Sequence, residues 1–472
     1  MTKTGIPVGI LGAGPAGLGA AYRLSCRRNF EVTVIDRSPA VGGNAGSFEL
    51  AGVRADYGSH RLHPSCNPEI LADIRGMLGE ELLDRPRHGR IRLRGRWVHF
   101  PLKPADLLRH LPASFLGGVA VDTLTKPFRR NGSDTFAAHL ERGLGRTICR
   151  DFYFPYARKI WGVSPDELDA EQARRRVSAA SLGKMVRKAL NSVVGFRKRG
   201  GGRFYYPRRG FGAISEAYGA AAEANGVHLK LKTDVTGVET QAGRVRAIET
   251  MAQGSHERID VEHVLSTIPI SQLIRFLRPT APQDVLQAAC NLKFRAMILI
   301  YLVLQTDQFT EFDAHYFPDG NIGISRLSEP KNYGLATSPK RTVLCAELPC
   351  STEDPFWRAS DRELGWMVRD ALRIAGLPIG CPVLSVASRK LAQAYPIYDR
   401  GYRDRFDRMD DYLQRFENLV TFGRQGLFAH DNTHHALAMA YSLDNCLSDS
   451  GVFDRERWAQ FRREFQNHVV ED

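Results

Sequence analysis

The residues of this chain that can do chemistry fall into a few short stretches. Gly12-Ala13-Gly14-Pro15-Ala16-Gly17 is a Gly-x-Gly-x-x-Gly turn, and Asp36-Arg37 follows a second apolar run. Glycines at this spacing let backbone N–H groups approach a diphosphate, while the acid can accept hydrogen bonds from the hydroxyls of an adenosine ribose. Tyr57-Gly58-Ser59-His60-Arg61-Leu62-His63 offers two imidazoles three residues apart. By themselves they serve equally as groups beside a ligand or as a polar loop cluster. Tyr156, Lys159 and Trp161 supply two rings for stacking on a sugar or base and a cation for phosphate or carboxylate. The same aromatic cluster can instead simply close a domain at a helix end.

These groups need elements to position them. Val8-Gly9-Ile10-Leu11 reads as a strand, the Ala-rich run after Gly14 as a helix, and Val32-Thr33-Val34-Ile35 as a second strand. Gly12 lets the chain turn off the first strand, Gly14 leaves room for a pyrophosphate, and Gly17 lets helix and strand pack closely. The helix N-terminus then turns its free N–H groups and positive dipole toward the phosphates. A lone glycine motif is weak evidence, but strand, turn, helix and acid agree here, and together they predict a dinucleotide site.

Composition sets bounds. With 472 residues, 43% of them hydrophobic and 25% charged, the chain is long enough for two or three domains and a large core. No apolar run approaches the roughly 18 to 20 residues that span a bilayer, and no basic n-region or cleavage site marks a signal peptide. The eight cysteines are scattered, with no Cys-x-x-Cys pair and no His/Cys cluster of zinc spacing, so no metal is expected and reduced thiols in a cytoplasmic enzyme are. The net charge of +13 and pI near 9.4 rest on dispersed arginines. No nucleic-acid-binding signature accompanies them. An anionic small-molecule substrate or a coding bias toward Arg explains them, and the oligomeric state is not legible.

Farther along, residues 90–102 alternate apolar and basic types around Gly95 and predict a hairpin with one solvated cationic face. Helix-period patterns fill 104–195. Within them Leu111 to Leu124 is apolar and flanked by Arg109 and Lys126. Packing against its own domain is the expectation, with a peripheral membrane face as the alternative. The Gly-rich basic stretch at 196–202 reads as a surface loop. Leu229 to Glu239, containing Val235, predicts a strand with a turn at Ala242-Gly243, and His263 to Pro269 a buried strand. Strand signals at 296–304, 314–318, 323–327 and 343–348 predict an antiparallel sheet carrying Tyr316 and Arg326. Near the end, a buried strand runs into Gly423-Arg424 and a helix starts near Thr433.

Asp36-Arg37 followed by Val41-Gly42-Gly43-Asn44 resembles the FAD-binding opening of the amine oxidase superfamily, which includes UDP-galactopyranose mutases and protoporphyrinogen oxidases. The resemblance extends in order through Tyr57-Gly58-Ser59-His60, Tyr156 to Trp161, the Tyr205-Tyr206-Pro207 crossing, Tyr395-Pro396-Ile397-Tyr398 and Gly423-Arg424 to Asn432. It implies FAD as cofactor, held by Gly12, Gly14, Pro15, Ala16, Gly17, Asp36, Arg37, Gly42, Gly43, Asn44, Tyr57, Gly58, Ser59, Val235, Gly423, Arg424, Asn432 and Thr433. It implies a loop carrying His60 and His63 close to the flavin ring, and Arg175 near it. It implies a substrate cleft formed by Tyr156, Lys159, Trp161, Tyr316, Arg326, Tyr395, Phe428 and His430. The family's diphosphate-holding arginine falls at Ala179, and two of its tyrosines fall at Phe428 and His430, so the sugar-nucleotide clamp is altered.

The fold implied is α/β: a Rossmann-type, glutathione reductase-like FAD-binding domain (1–103, 204–275 and 391–472), an inserted helical domain (104–203) and an antiparallel-sheet substrate domain (276–390). The function implied is FAD-dependent oxidation of a polar, sugar-derived or anionic small molecule by hydride transfer to flavin N5. The alternative is a non-redox mutase in which N5 of reduced FAD attacks an anomeric carbon.

Overall fold

The computed structural model describes residues 5–101, 104–126, 133–176, 202–336 and 339–470. Ala179 and the Gly-rich basic stretch up to Gly201 lie outside them. The organising layer is a five-stranded parallel sheet in the order Leu419–Thr421, His263–Ser266, Ile6–Leu11, Phe30–Ile35, His228–Lys230. Parallel strands are covered on both faces and so read as near-continuous apolar runs. Val8, Ile10 and Leu11 are accordingly buried beside Val32, Val34 and Ile35. Helices Pro15–Ser25, Ala213–Ala224 and Thr433–Asp444 join the same core through Leu18, Tyr218 and Leu437.

Against this layer lies the meander Asp234–Gln241, Arg244–Ala252, Ser255–Asp260. Its first turn puts Ala242 at φ 50° and Gly243 at φ 75°, the left-handed pair that matches the twist of a two-residue hairpin.

A seven-stranded sheet forms the opposite wall, in the order Val383–Pro396, Phe294–Leu304, Thr342–Cys350, Arg326–Ser328, Ala314–Tyr316, Gly89–Leu93, Arg96–Phe100. The early hairpin is thus fused to the late sheet, through a parallel pairing of Gly89–Leu93 with Ala314–Tyr316. That fusion corrects the expected solvated cationic face. Arg90 lies 4.2 Å over the Trp97 ring and 4.4 Å over Phe312, and Arg92 pairs with Asp319 at 2.7 Å. Burial pulls the Arg90 guanidinium down to about 10.

Among the described residues between 104 and 176 the chain forms short helices, including Ala113–Thr125, Phe136–Leu144, Phe154–Trp161 and Ala170–Arg176. The first packs against its own domain through Phe115, Leu116 and Val119, which join Ile91, Leu93 and Val98 in one apolar cluster, while Val121 and Leu124 near its end are 59% and 75% exposed. Among the described residues no helix is long and apolar enough to cross a membrane.

Candidate functional site

Five segments converge at the C-terminal end of the parallel sheet. Gly12 turns at φ 104°, and a Cβ on Gly17 would fall 1.9 Å from the Gly12 carbonyl oxygen, so helix and turn touch backbone to backbone. A Cβ on Gly14 would meet nothing within 4 Å. Helix Pro15–Ser25 begins with no side-chain cap, which leaves its first N–H groups facing that open space. Asp36 braces the turn, Oδ2 accepting from Ala13 N and Oδ1 from Ser38 N, both at 2.7 Å. A carboxylate has further lone pairs for ribose hydroxyls. Gly42 N donates to Ala13 O at 2.7 Å, and Thr233 N to Asp36 O at 3.0 Å, which sets the second glycine loop and the strand carrying Val235 beside the turn. Gly423 packs against Ala16 from the other side. Bare backbone, an uncapped helix start and a braced acid fit a dinucleotide diphosphate. Arg37, in contrast, is exposed.

The loop that follows is fastened by Asp56, which accepts from Ser47 Oγ at 2.6 Å, Tyr206 OH at 2.5 Å and Phe211 N at 2.9 Å. Burial pushes this carboxyl up, against the pull of the two hydroxyls. Asp56→Ala strands three buried donors. It should destabilise the protein by about 3 to 5 kcal/mol, read from the shift in denaturant midpoint.

His60 and His63 diverge. His60 Nε2 lies 2.9 Å from Tyr57 O, and its ring stacks on Phe211 at 5.3 Å. Burial holds it below the ordinary histidine value, opposed by Asp56. His63 Nδ1 faces Ser65 Oγ at 2.8 Å, and its ring lies 6.3 Å from that of His434 in the first turn of helix Thr433–Asp444. Gly58 and Ser59 are bracketed from the opposite wall by an ion pair. Glu347 Oε1 accepts from Ser59 N at 3.3 Å and from Arg326 Nη2 at 2.6 Å. Burial works against the Arg326 charge, but Glu347, Tyr316 and Tyr395 hold it well above the ordinary arginine value.

Around this loop the rings and cations gather. Tyr156, Tyr316, Arg326 and Tyr395 share one electrostatic neighbourhood. Arg176 lies 5.3 Å and Arg424 5.1 Å from the Tyr395 ring, and among the described residues neither guanidinium is in a salt bridge. Arg424 donates to Ala394 O at 2.8 Å. Burial, reinforced by Arg176, lowers its pKa. His430 sits beneath, 6.5 Å from both Tyr395 and Trp161. Tyr398 N donates to Gln172 Oε1 at 3.1 Å, so the Gln172 amide nitrogen is the atom 2.8 Å from His430 Nε2. His430 Nε2 therefore accepts, and its proton rests on Nδ1. Burial, with Arg176, Arg424 and Arg175 adding to it, keeps this imidazole neutral.

Three expected site residues are placed otherwise. Lys159 Nζ is caged by the carbonyls of Phe317, Asp319, Ile322 and Ile324 at 2.5 to 3.3 Å, so its donors are spent within the protein. Burial still pulls it down to about 8. Phe428, at φ 49°, turns its ring into the core against Phe294 at 4.9 Å rather than into a cleft. Arg175 is committed to Glu171 at 2.8 Å and to Phe465 O at 3.3 Å, and its neighbour Arg176 reaches Tyr395 instead.

Sequence reasoning passed over Gln172, Asp56 and Glu347. Glu347 had a visible signal, the one charged residue in the strand Thr342–Cys350. Such an acid must find buried partners.

The geometry agrees with the known proteins this chain is similar to. Residues 15–373 match the family described as flavin containing amine oxidoreductase, and the chain belongs to that family. Its cofactor is FAD. The fold is similar to that of reduced UDP-galactopyranose mutase, with TM-score 0.78, 19% identity and 93% of each chain covered. It is also similar to that of putrescine oxidase bound to putrescine, with TM-score 0.63, 16% identity, 97% of this chain and 99% of that one. In sequence it is 29% identical over 309 residues to a phytoene dehydrogenase of Streptomyces griseus, 58% of this chain and 56% of that protein. The chain thus spans little more than half the length of that relative.

Proposed function

We propose that this chain is an FAD-dependent oxidoreductase that withdraws hydride from a polar, anionic small molecule, sugar-derived ones included. The observation that carries the reading is the pair Arg176 and Arg424, two guanidiniums against one Tyr395 ring with no carboxylate partner among the described residues. Burial works against the Arg424 charge, and Asp431 offsets this only through space, so an arriving carboxylate or phosphate supplies the two-pronged hydrogen bonds that the pair lacks. Tyr395, Tyr156 and Tyr316 supply ring faces to orient the rest of the substrate. His430, neutral and fixed by Gln172, offers a positioned polar group beneath. FAD, when bound, supplies the hydride acceptor. The loop at Gly58 and Ser59, clamped by Arg326 and Glu347, would hold the reacting face rigid.

The mutase reading has the likeness to reduced UDP-galactopyranose mutase in its favour. Against it, that reaction uses its leaving group for positioning, and Phe428 offers no hydroxyl and faces the core. We also propose domain boundaries near 203 and 275, with the first drawn back to about 88 and the last moved to about 396 because Gly89–Phe100 and all of Val383–Pro396 belong to the seven-stranded sheet, and a reducing, cytoplasmic setting supported by eight unpaired cysteines.

Anaerobic mixing tests the reading. Candidate anionic substrates should bleach the oxidised flavin absorption of the holoenzyme without added reductant. Turnover that requires prior dithionite reduction and leaves the flavin spectrum unchanged would replace oxidation by isomerisation.

A further inference from the structure

Where Asp431 precedes helix Thr433–Asp444, it meets the C-terminal segment. Its side chain is 0% exposed, and neither carboxylate oxygen accepts a hydrogen bond. A buried carboxylate in that condition costs several kcal/mol unless a cation faces it. Arg175 and Arg424 lie close enough for their charges to act on Asp431, but neither is in a salt bridge with it, and Arg175 is bonded to Glu171 and Phe465 O. What does face Asp431 Oδ1 is a pair of imidazole nitrogens, His435 Nδ1 at 3.5 Å and His468 Nδ1 at 3.3 Å.

We propose that Asp431, His435 and His468 bind one divalent transition-metal ion, zinc by preference, which ties the C-terminal segment to the first turn of helix Thr433–Asp444. Zinc takes imidazole nitrogen and carboxylate oxygen at about 2.0 to 2.1 Å in a tetrahedron, whose edges are then about 3.3 Å. Two of the three edges here already have that length. The third, between the imidazoles, lies within 4.8 Å and has to close. His468 supplies the movement, since it follows the last helix, Arg455–Phe465, and stands outside any regular element.

The rings present both Nδ1 atoms to the one carboxylate, and because their lone pairs lie in the ring planes, the present stack at 4.2 Å and 12° has to open for both to meet one ion. His435 Nδ1 accepts from Asn432 N at 3.3 Å, which marks it as the unprotonated nitrogen, and its single lone pair has to turn from that cap to the ion. Two nitrogens and one oxygen leave a fourth position for water. The spacing of the sequence gave no metal expectation because the third ligand comes from a distant part of the chain.

The site lies one residue from Asn432, so it would steady the helix start beside the cofactor. It would also pin the segment that covers Arg175, where Val470 N donates to Arg175 O at 2.8 Å.

Metal binding is measured directly on chelator-treated holoenzyme by calorimetric titration with Zn(II), and by the visible d–d absorption of Co(II). One equivalent should bind at micromolar affinity or tighter, with the band intensity of a four-coordinate site. Asp431→Asn and His468→Ala should each weaken binding at least 100-fold. His468→Ala lies beyond the helices and keeps the test valid if Asp431→Asn fails to fold, circular dichroism deciding which has happened. Absence of stoichiometric binding, or binding that both variants leave unchanged, overturns the proposal in favour of a hydrogen-bonded His–Asp cluster. Neither readout depends on substrate turnover, so failure of the oxidoreductase reading leaves this one standing, and the reverse.

Discussion

Gly14→Val should yield a folded protein without flavin colour. The missing Cβ has no protein atom within 4 Å, so the branch point of a valine side chain enters open space and folding should stay intact. It would occupy the volume in front of the uncapped N–H groups of helix Pro15–Ser25, where the diphosphate belongs. A loss of at least 1000-fold in FAD affinity is expected, about 4 kcal/mol at 1.4 kcal/mol per tenfold, measured by reconstitution of apoprotein with FAD under fluorescence. Gly17→Ala provides the contrast. Its methyl would fall 1.9 Å from the Gly12 carbonyl oxygen, so the turn itself must move, and both melting temperature and FAD uptake should drop. A Gly14→Val protein that binds FAD like the native chain would remove the diphosphate from this turn.

The second large effect belongs to the cleft. Arg424→Met or Arg176→Met should lower kcat/KM on an anionic substrate by about 100- to 1000-fold, in line with the 2 to 5 kcal/mol that follows loss of one member of a buried charge pair. Most of the loss should appear in KM. The two substitutions should not add, because both guanidiniums address the same ring and would share one anion. Stability moves the other way. Burial and mutual repulsion lower the Arg424 pKa, so the free enzyme is strained by that charge, and Arg424→Met should melt at an equal or higher temperature. Unchanged kcat/KM in both variants would sink the anion reading.

The nucleotide half of this fold was legible because its requirements are local. A sharp turn, a close helix-to-turn contact and an acid at a strand end each demand a residue type at a fixed offset, and Gly12, Gly17 and Asp36 meet those demands. Strand signals in the opposite sheet were legible for the same reason, and the bounds differ by a few residues at most in Phe294–Leu304 and Thr342–Cys350. The proposed cleft was legible in part as a cluster in space, without Lys159 and Phe428, and not in orientation. Tyr156, Tyr316, Arg326, Tyr395 and His430 do assemble.

Which of two adjacent arginines faces the ring depends on helix phase, about 100° per residue. The phase of Ala170–Arg176 favours Arg176 and turns Arg175 toward Glu171. Lys159 fails for a different reason. The carbonyls that cage it belong to residues 317–324, and no spacing rule connects a helix to the open loop of another sheet. Nor could the fusion of Gly89–Leu93 to Ala314–Tyr316 be read, because that register is set by the folded chain alone.

The five-stranded layer takes its strands from residues 6–11, 30–35, 228–230, 263–266 and 419–421. On a ribosome the opening glycine turn therefore emerges first and waits for the greater part of the polypeptide before its neighbours exist. Premature termination between residues 266 and 419 would leave an apolar strand edge at His263–Ser266 without the neighbour Leu419–Thr421, a ready nucleus for aggregation. Completion of the sheet that carries the glycine turn thus waits for synthesis to pass residue 421.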